Sequence, residues 1–112
     1  MTVEDTDKID FVTGEPKTGD MVLTISDHLD WGENEGEHLL VLQNKLNTYL
    51  EFIEGGQLYA KFPQAVGRNI VIQVMGKFPL SEEASKFYRL AGKAIEGYGY
   101  SLRFRQPPSK DE

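Results

Sequence analysis

Apolar and polar residues alternate along four short stretches of the chain, and this period of two predicts β-strands. The first two strands begin at Asp7 and Met21. The link between them, Thr13 to Asp20, is rich in turn residues and too short for a parallel crossover, so an antiparallel hairpin is predicted. Asn69 to Met75 is apolar on both faces, as interior strands are. Tyr100 to Phe104 alternates with polar residues and predicts a half-buried last strand.

Two longer stretches repeat their apolar residues every three or four positions, which predicts amphipathic helices. Asn34 suits an N-cap with Glu37 at capping-box spacing, and Gly55-Gly56 ends this first helix. Ser81 suits the N-cap of the second helix, which ends at Gly97. The first apolar stripe consists of Leu39, Leu42, Leu46, Tyr49, Leu50 and Ile53, and the second of Ala84, Phe87, Tyr88, Ala91, Ala94, Ile95 and Tyr98.

The predicted order of elements is β-β-α-β-α-β, and right-handed crossovers put both helices on one face of the sheet. We therefore predict a two-layer α+β fold, a four-stranded mixed sheet with two helices packed on one face. The strand order is either 1-2-3-4 or one with the last strand inserted centrally. Gln57 to Gly67 is expected to add a short helical turn, and the alternative is a strand stopped by Pro63. The open face of the sheet should carry Thr24, Gln73, Arg103 and Arg105, with Val22 and Val71 among them.

The length of 112 residues fits one domain with one core. Residues 7–105 are expected to form this domain, between a disordered N-terminus (1–6) and a disordered C-terminal tail (106–112). The chain has no cysteine, which excludes disulfides and thiolate metal sites and suits a reducing compartment. Neither a signal peptide nor a membrane-spanning run is recognisable, so a soluble cytoplasmic protein is expected.

The net charge of −6 hides an asymmetry between the two halves of the chain. Residues 1–56 hold 3 basic and 13 acidic side chains, whereas residues 57–112 hold 9 basic and 5 acidic ones. The acids are densest from Asp27 to Glu37, a segment without lysine or arginine. Such a field repels nucleic acid and favours cationic partners. The alternative is a solvated loop followed by a helix whose dipole favours carboxylates in its first turn.

Nucleic acid is a poor candidate partner. Arginines on the open face could contact phosphates, but Tyr100 and Phe104 share the strand parity that points into the core, so no aromatic residue is left there to stack bases. Because the chain as a whole is acidic, the sequence predicts no nucleic-acid partner.

Asp27, His28, Asp30 and His38 form the strongest candidate cluster for chemistry. Carboxylate and imidazole are a plausible mixed ligand set for zinc, iron or manganese, although their spacing matches no established metal motif. Their ordinary role would be structural, with the aspartates accepting hydrogen bonds from loop amides in Asx-turns. We therefore predict no metal, no cofactor and no catalytic residue, and treat the cluster together with Trp31 as a candidate binding site. Trp31 is either an interface anchor or a lid on the core beside Leu29.

Several segments resemble a family of small bacterial proteins of unknown function. The resemblance covers Lys8 to Arg105 and implies a single domain, but no reaction or substrate. It is carried by Thr24-Ile25-Ser26-Asp27-His28-Leu29-Asp30-Trp31, His38-Leu39-Leu40, Leu42-Gln43, Lys45-Leu46-Asn47 and Pro79-Leu80-Ser81-Glu82-Glu83-Ala84.

We accordingly interpret the chain as a small acidic protein-binding or regulatory protein, a monomer or weak homodimer. An inhibitor of a cationic partner is one concrete version. The alternative is a small metal-binding protein or enzyme that uses the Asp27, His28, Asp30 and His38 cluster. The enzyme class stays uncertain and less favoured, because no Gly-x-Ser-x-Gly elbow or phosphate-binding loop is present.

Overall fold

The computed structural model describes residues 11–29, 31–32 and 34–106. In this part of the chain the elements follow the predicted order, with one short extra helix and a 3₁₀ turn at Pro63–Ala65 inside the predicted 57–67 segment. The strands and helices are β1 (Phe11–Gly14), β2 (Met21–Asp27), α1 (Glu35–Glu54), α2 (Gln57–Lys61), β3 (Ile70–Gly76), α3 (Glu82–Gly97) and β4 (Ser101–Arg105).

The four strands form one mixed sheet in the order β1-β2-β3-β4, which decides between the two predicted orders. β1 pairs antiparallel with β2, as the hairpin predicts. β2, β3 and β4 are parallel neighbours, with Leu23 beside Ile72 and Ile72 beside Leu102. Because both crossovers step in the same direction across the sheet and keep the right-handed sense, α1 and α3 cover the same face. The predicted α+β fold is confirmed.

The core lies between this face and the two helices. Every second residue of β2 and β3 contributes to it, and α1 supplies most of the helical part. The buried members from these elements are Met21, Leu23, Ile25, Leu42, Leu46, Tyr49, Phe52, Ile53, Ile70, Ile72, Val74 and Ile95.

The stripe predicted for α3 is too wide. Ala84 and Ile95 are buried, but Ala94 is exposed and Tyr98 is 54% exposed. Among the described residues α1 buries seven side chains and α3 only two. The longer helix covers most of the sheet centre, which leaves α3 a narrower face to bury.

The helix ends agree with the sequence in position, but only one cap forms as predicted. The Ser81 hydroxyl accepts a hydrogen bond from the Ala84 N–H at 3.1 Å. Asn34 stands at the N-cap of α1, yet its side chain makes no capping hydrogen bond to the described first turn, so the capping-box prediction is wrong. Gly56 follows α1 with φ of +84°, a conformation that glycine adopts without steric cost.

The opposite face of the sheet carries the expected polar row. The Arg103 Nε donates to Gln73 Oε1 at 2.8 Å, and the Gln73 Nε2 donates to the Thr24 hydroxyl at 3.4 Å. Val22 and Val71 are 5% and 7% exposed, so the long polar side chains beside them leave little apolar surface in contact with water.

Some predictions fall outside the described residues. These are the disorder expected at residues 1–6 and 107–112, and the first part of the first strand, residues 7–10. No helix in the described ranges is long and apolar enough to cross a membrane.

Candidate binding site

Asp27 and His38 meet in a buried contact at the junction of β2 and α1. Asp27 is the last residue of β2, and His38 lies in the first turn of α1. The Oδ2 of Asp27 is 2.6 Å from the Nε2 of His38, and both side chains are 2% exposed. A carboxylate held against one ring nitrogen fixes the orientation of the imidazole.

Asp27 also braces the loop, as the structural interpretation of the cluster predicts. Its Oδ1 accepts a hydrogen bond from the Leu29 N–H at 3.1 Å, which is the Asx-turn pattern. Its backbone carbonyl accepts from the Lys77 N–H at 2.9 Å. One residue therefore ties the end of β2 to the loop after it, to α1 and to the segment after β3.

Trp31 covers the His38 ring. The two ring centroids are 3.6 Å apart with an interplanar angle of 13°. Trp31 and Leu29 are both partly buried and pack against the core. Of the two roles proposed for Trp31, this position favours the core lid over the interface anchor.

Tyr88 of α3 brings a third polar side chain towards this junction. Its hydroxyl is buried and has no hydrogen-bond partner within the described part of the chain. Burial, and to a lesser extent the negative charge of Asp27, raises the pKa of Tyr88 well above its ordinary value. The ring is held edge-on against Phe104 of β4, with centroids 5.4 Å apart.

Lys45 is the buried charge that sequence reasoning missed. It lies on the buried side of α1 with no exposed surface, and its Nζ is 5.7 Å from the centroid of the Tyr49 ring. The Tyr49 hydroxyl in turn donates to the Thr24 carbonyl at 3.0 Å. Positions 38, 42, 45 and 49 follow helical spacing, so the period of the stripe could have placed Lys45 inside.

A pocket of about 440 Å³ opens beside the Asp27–His38 pair. Since it forms where β2 and β3 end, it lies at the carboxyl edge of parallel strands, where open α/β sheets commonly bind ligands. Its lining residues are His28, Leu29, Asn34, Glu37, His38, Val41 and Phe78. The walls thus combine apolar carbon with one carboxylate, one amide and two imidazoles, and Asn34, Glu37 and Phe78 were not among the predicted site residues.

The structure brings together three of the five predicted site residues. Asp27, His38 and Trp31 are in mutual contact or one contact apart, while His28 is exposed and lines the same pocket from its rim. Asp30 lies outside the described residues. Within residues 11–29, 31–32 and 34–106, no three histidine, aspartate or glutamate side chains converge as metal ligands would.

These features define the molecule as a small α+β domain with an open mixed sheet and a polar pocket at the carboxyl edge of two parallel strands. The chain belongs to DUF6572, a family of unknown function, whose model matches residues 1–107. The predicted membership of a family of unknown function is confirmed. No curated protein and no solved structure matches the chain.

Proposed function

We propose that the protein is a non-catalytic binding protein that receives a cationic side chain of a protein partner in the pocket beside Asp27 and His38. The observation that carries this proposal is the composition of the pocket. Glu37 provides a carboxylate, Asn34 an amide oxygen, and Phe78 an aromatic ring that is 38% exposed. A carboxylate together with an aromatic face is the usual environment for a guanidinium or ammonium group.

The surrounding charge supports the same class of ligand. Residues 18–44 contain six acidic side chains and no lysine or arginine, and the pocket draws most of its lining from this segment. A field of one sign raises the rate at which oppositely charged partners meet the surface. An inhibitor of a cationic partner, acting in the cytoplasm of a bacterium, is the concrete form of this proposal, and the absence of cysteine agrees with that compartment.

The chain itself supplies a local example of the interaction. The Nζ of Lys77 lies 5.6 Å from the centroid of the Phe78 ring, within the distance at which a cation is attracted to an aromatic face. An incoming cation competes with Lys77 for this wall of the pocket. Replacing Lys77 with methionine should therefore strengthen binding of a cationic ligand.

The proposal is tested by titrating the ¹⁵N-labelled protein with blocked tripeptides, Gly-Arg-Gly and the isosteric Gly-citrulline-Gly, which lacks the charge. The arginine peptide should shift the amide resonances of Glu37, His38 and Phe78 with a dissociation constant on the order of millimolar, as one docked side chain allows. Glu37→Gln should weaken the binding several-fold. Glu96→Gln, an exposed change on α3, is the matched control and should have no effect.

Two results would refute the proposal. One is an equal response to the arginine and citrulline peptides, which would show that charge is not recognised. The other is the absence of any shift at the pocket up to about 10 mM peptide, well above the affinity expected for one side chain.

The Asp27–His38 contact favours one second candidate, a metal-binding or acid-base site that includes His28 and Asp30. A buried carboxylate that orients an imidazole recurs in metal and hydrolytic sites. On this alternative, zinc or manganese should raise the melting temperature, and His28→Ala should abolish the rise. On the main proposal neither metal shifts the melting temperature.

A further inference from the structure

An apolar groove runs between α1 and α3 on the side away from the sheet. It encloses about 370 Å³ and is lined by Leu46, Leu50, Phe87, Leu90 and Ala94, among others. Leu90 is 69% exposed, although it is a large apolar side chain at the centre of a helix. The groove lies on the opposite layer from the polar row of the sheet, and none of its lining residues belongs to the pocket beside Asp27.

The groove continues at its end into further exposed apolar surface. Tyr98, 54% exposed, lines an adjoining depression together with Leu50 and Glu51. Contiguous apolar surface of this kind marks an interaction site more often than isolated exposed leucines do.

The two rims of the groove carry opposite charges. On α1, Glu51 and Glu54 follow Asn47 at helical spacing and stand at the end of the groove. On α3, Lys86 and Lys93 lie one turn before and one turn after Leu90 on the same stripe. Lys86 pairs with Glu83 at 3.5 Å, so Lys93 carries the net positive charge of this rim. The pattern repeats the asymmetry of the whole chain, in which the first half is acidic and the second is basic.

We propose that this groove is the interface of a homodimer, in which the α1 rim of each copy lies against the α3 rim of the other. A two-fold interface applies the same patch twice, so a patch with one acidic and one basic rim is complementary to itself. Leu90 of each copy then packs into the groove of its partner. This charge complementarity selects a second copy of the chain over a partner of a single charge.

The size of the face sets the strength of the dimer. Helices of 20 and 16 residues are about 30 Å and 24 Å long and pack about 8 to 10 Å apart. Together they offer a face of roughly 500 Å² per copy, or about 1000 Å² across the interface, which is near the lower limit for specific association. The dimer is therefore weak and exchanges with the monomer at micromolar concentrations.

Sedimentation equilibrium of the full chain across about 5 to 500 µM tests the proposal. The average mass should rise with concentration from 12.7 kDa towards twice that value. Leu90→Glu should weaken the dimer at least about tenfold, because it places a carboxylate in the apolar groove of the partner copy. Val66→Glu is the matched control, since Val66 is 67% exposed and lies outside the groove, and it should dimerise like the unmodified chain.

A charge exchange tests the orientation of the two copies. Glu51→Lys and Lys93→Glu should each weaken self-association, since each places like charges across both halves of a two-fold interface. An equimolar mixture of the two variants should restore a heterodimer. A chain that stays monomeric at 500 µM, a dimer that Leu90→Glu leaves unchanged, or a mixture that fails to recover would each overturn the proposal. Far-UV circular dichroism confirms that every variant is folded.

Discussion

At the scale of single residues, Asp27 connects the most parts of the molecule. Its carboxylate contacts His38 and accepts from the Leu29 amide while only 3% of the residue is exposed. A buried carboxylate is tolerated only when such partners replace its water. The pattern that singled out Asp27 was its place at the end of a strand beside a histidine, and the predicted Asx-turn role is the one that the geometry supports.

The Asp27–His38 contact should contribute to the free energy of unfolding, and a double-mutant cycle measures this contribution. Asp27→Asn should lower the free energy of unfolding by about 1 to 3 kcal/mol because buried donors lose their charged acceptor. His38→Ala should cost about 3 to 5 kcal/mol, since it leaves a buried carboxylate without its imidazole. Urea unfolding of both variants and of the double variant measures these losses.

The double variant should lose less than the sum of the two single losses, by about 0.5 to 3 kcal/mol. His28→Ala serves as the control and should change stability by less than about 0.5 kcal/mol, because that imidazole is exposed. Strict additivity of the two changes would show that the contact contributes nothing to the fold.

Tyr88 provides a prediction with a defined pH range. Its folded-state pKa is raised above the ordinary value of 10.0, so below pH 10 the hydroxyl is neutral in both states and the raised pKa costs nothing. Above pH 10 the unfolded chain releases the proton while the folded chain retains it, and stability falls as pH rises. Tyr88→Phe should reduce this alkaline loss, as followed by urea unfolding between pH 9 and 11.

At pH 7 the same substitution should leave stability unchanged or raise it by about 1 kcal/mol, because a buried hydroxyl without a partner costs about 1 to 3 kcal/mol. Tyr100→Phe is the comparison. Burial and the hydrogen bond to Glu54 raise the pKa of Tyr100 to about 12. Unlike Tyr88→Phe, the substitution Tyr100→Phe removes a hydroxyl that has a hydrogen-bond partner. A loss above 1 kcal/mol for Tyr88→Phe at pH 7 would mean that the hydroxyl has a stabilising partner.

Sequence reasoning missed two residue-scale features for physical reasons. Lys45 lies at a buried position on the helical stripe, but a lysine there is ordinarily read as solvated because burying its charge is costly. Asn34 was expected to cap α1 from its residue type, yet capping usually requires an extended backbone, whereas Asn34 has φ of −113° and ψ of 41°. Residue type and spacing fix the neighbourhood of a side chain, while its partners depend on tertiary contacts.

At the scale of elements, the periodicities were sufficient to place the four strands, α1 and α3, although β1 includes Thr13 and Gly14, which were assigned to the turn. The 57–67 segment shows no clear period, so α2 could not be placed in this way. The sequence also predicts which strands pair antiparallel and which pair parallel, because a short link requires an antiparallel pair and a helical crossover joins parallel strands. The order of the parallel strands did not follow, since both candidate orders satisfy the same pattern and the same handedness. The width of the α3 stripe was overestimated for the related reason that a helix pattern does not show how much of the sheet another helix has covered.

The ring of Phe104 in β4 packs closely over Gly76 at the end of β3, and this yields an element-scale prediction. A Cβ at Gly76 would overlap the ring of Phe104, which is itself held against Tyr88. Gly76→Ala should therefore destabilise the protein by about 1 to 3 kcal/mol through overpacking. Thermal unfolding monitored by circular dichroism measures the loss.

The origin of that loss can be separated from a backbone effect. Combining Gly76→Ala with Phe104→Leu relieves the overlap, so the double variant should be more stable than the two single losses predict. Gly92→Ala is the matched control within α3, where a Cβ meets nothing within 4 Å and helix propensity favours alanine. A Gly76→Ala variant as stable as the unmodified chain would show that Phe104 moves aside freely.

At the scale of the whole molecule, the uneven charge along the chain becomes an uneven charge in space. The acidic first half supplies β1, β2 and α1, and the basic second half supplies β3, α3 and β4. The proposed pocket draws mainly on the acidic part, whereas the proposed dimer surface uses both. The two proposals therefore respond to different substitutions, and each can fail without the other.

The charge distribution also predicts negligible binding to nucleic acid at physiological salt. The net charge is −6, and on the open sheet face Arg103 is engaged with Gln73 and lies 3.9 Å from Glu15, so few cations remain there to displace counterions from phosphates. Phe104 packs against the core, which removes the aromatic residue that a base would stack on. A gel-shift titration with random-sequence single- and double-stranded DNA at about 150 mM salt should show no complex up to about 100 µM protein, the weak end of ordinary non-specific binding. Glu15→Gln, which frees Arg103 from its acidic neighbour, should remain inactive as well. Micromolar binding that weakens steeply with salt would contradict the prediction and would direct attention to the open face of the sheet.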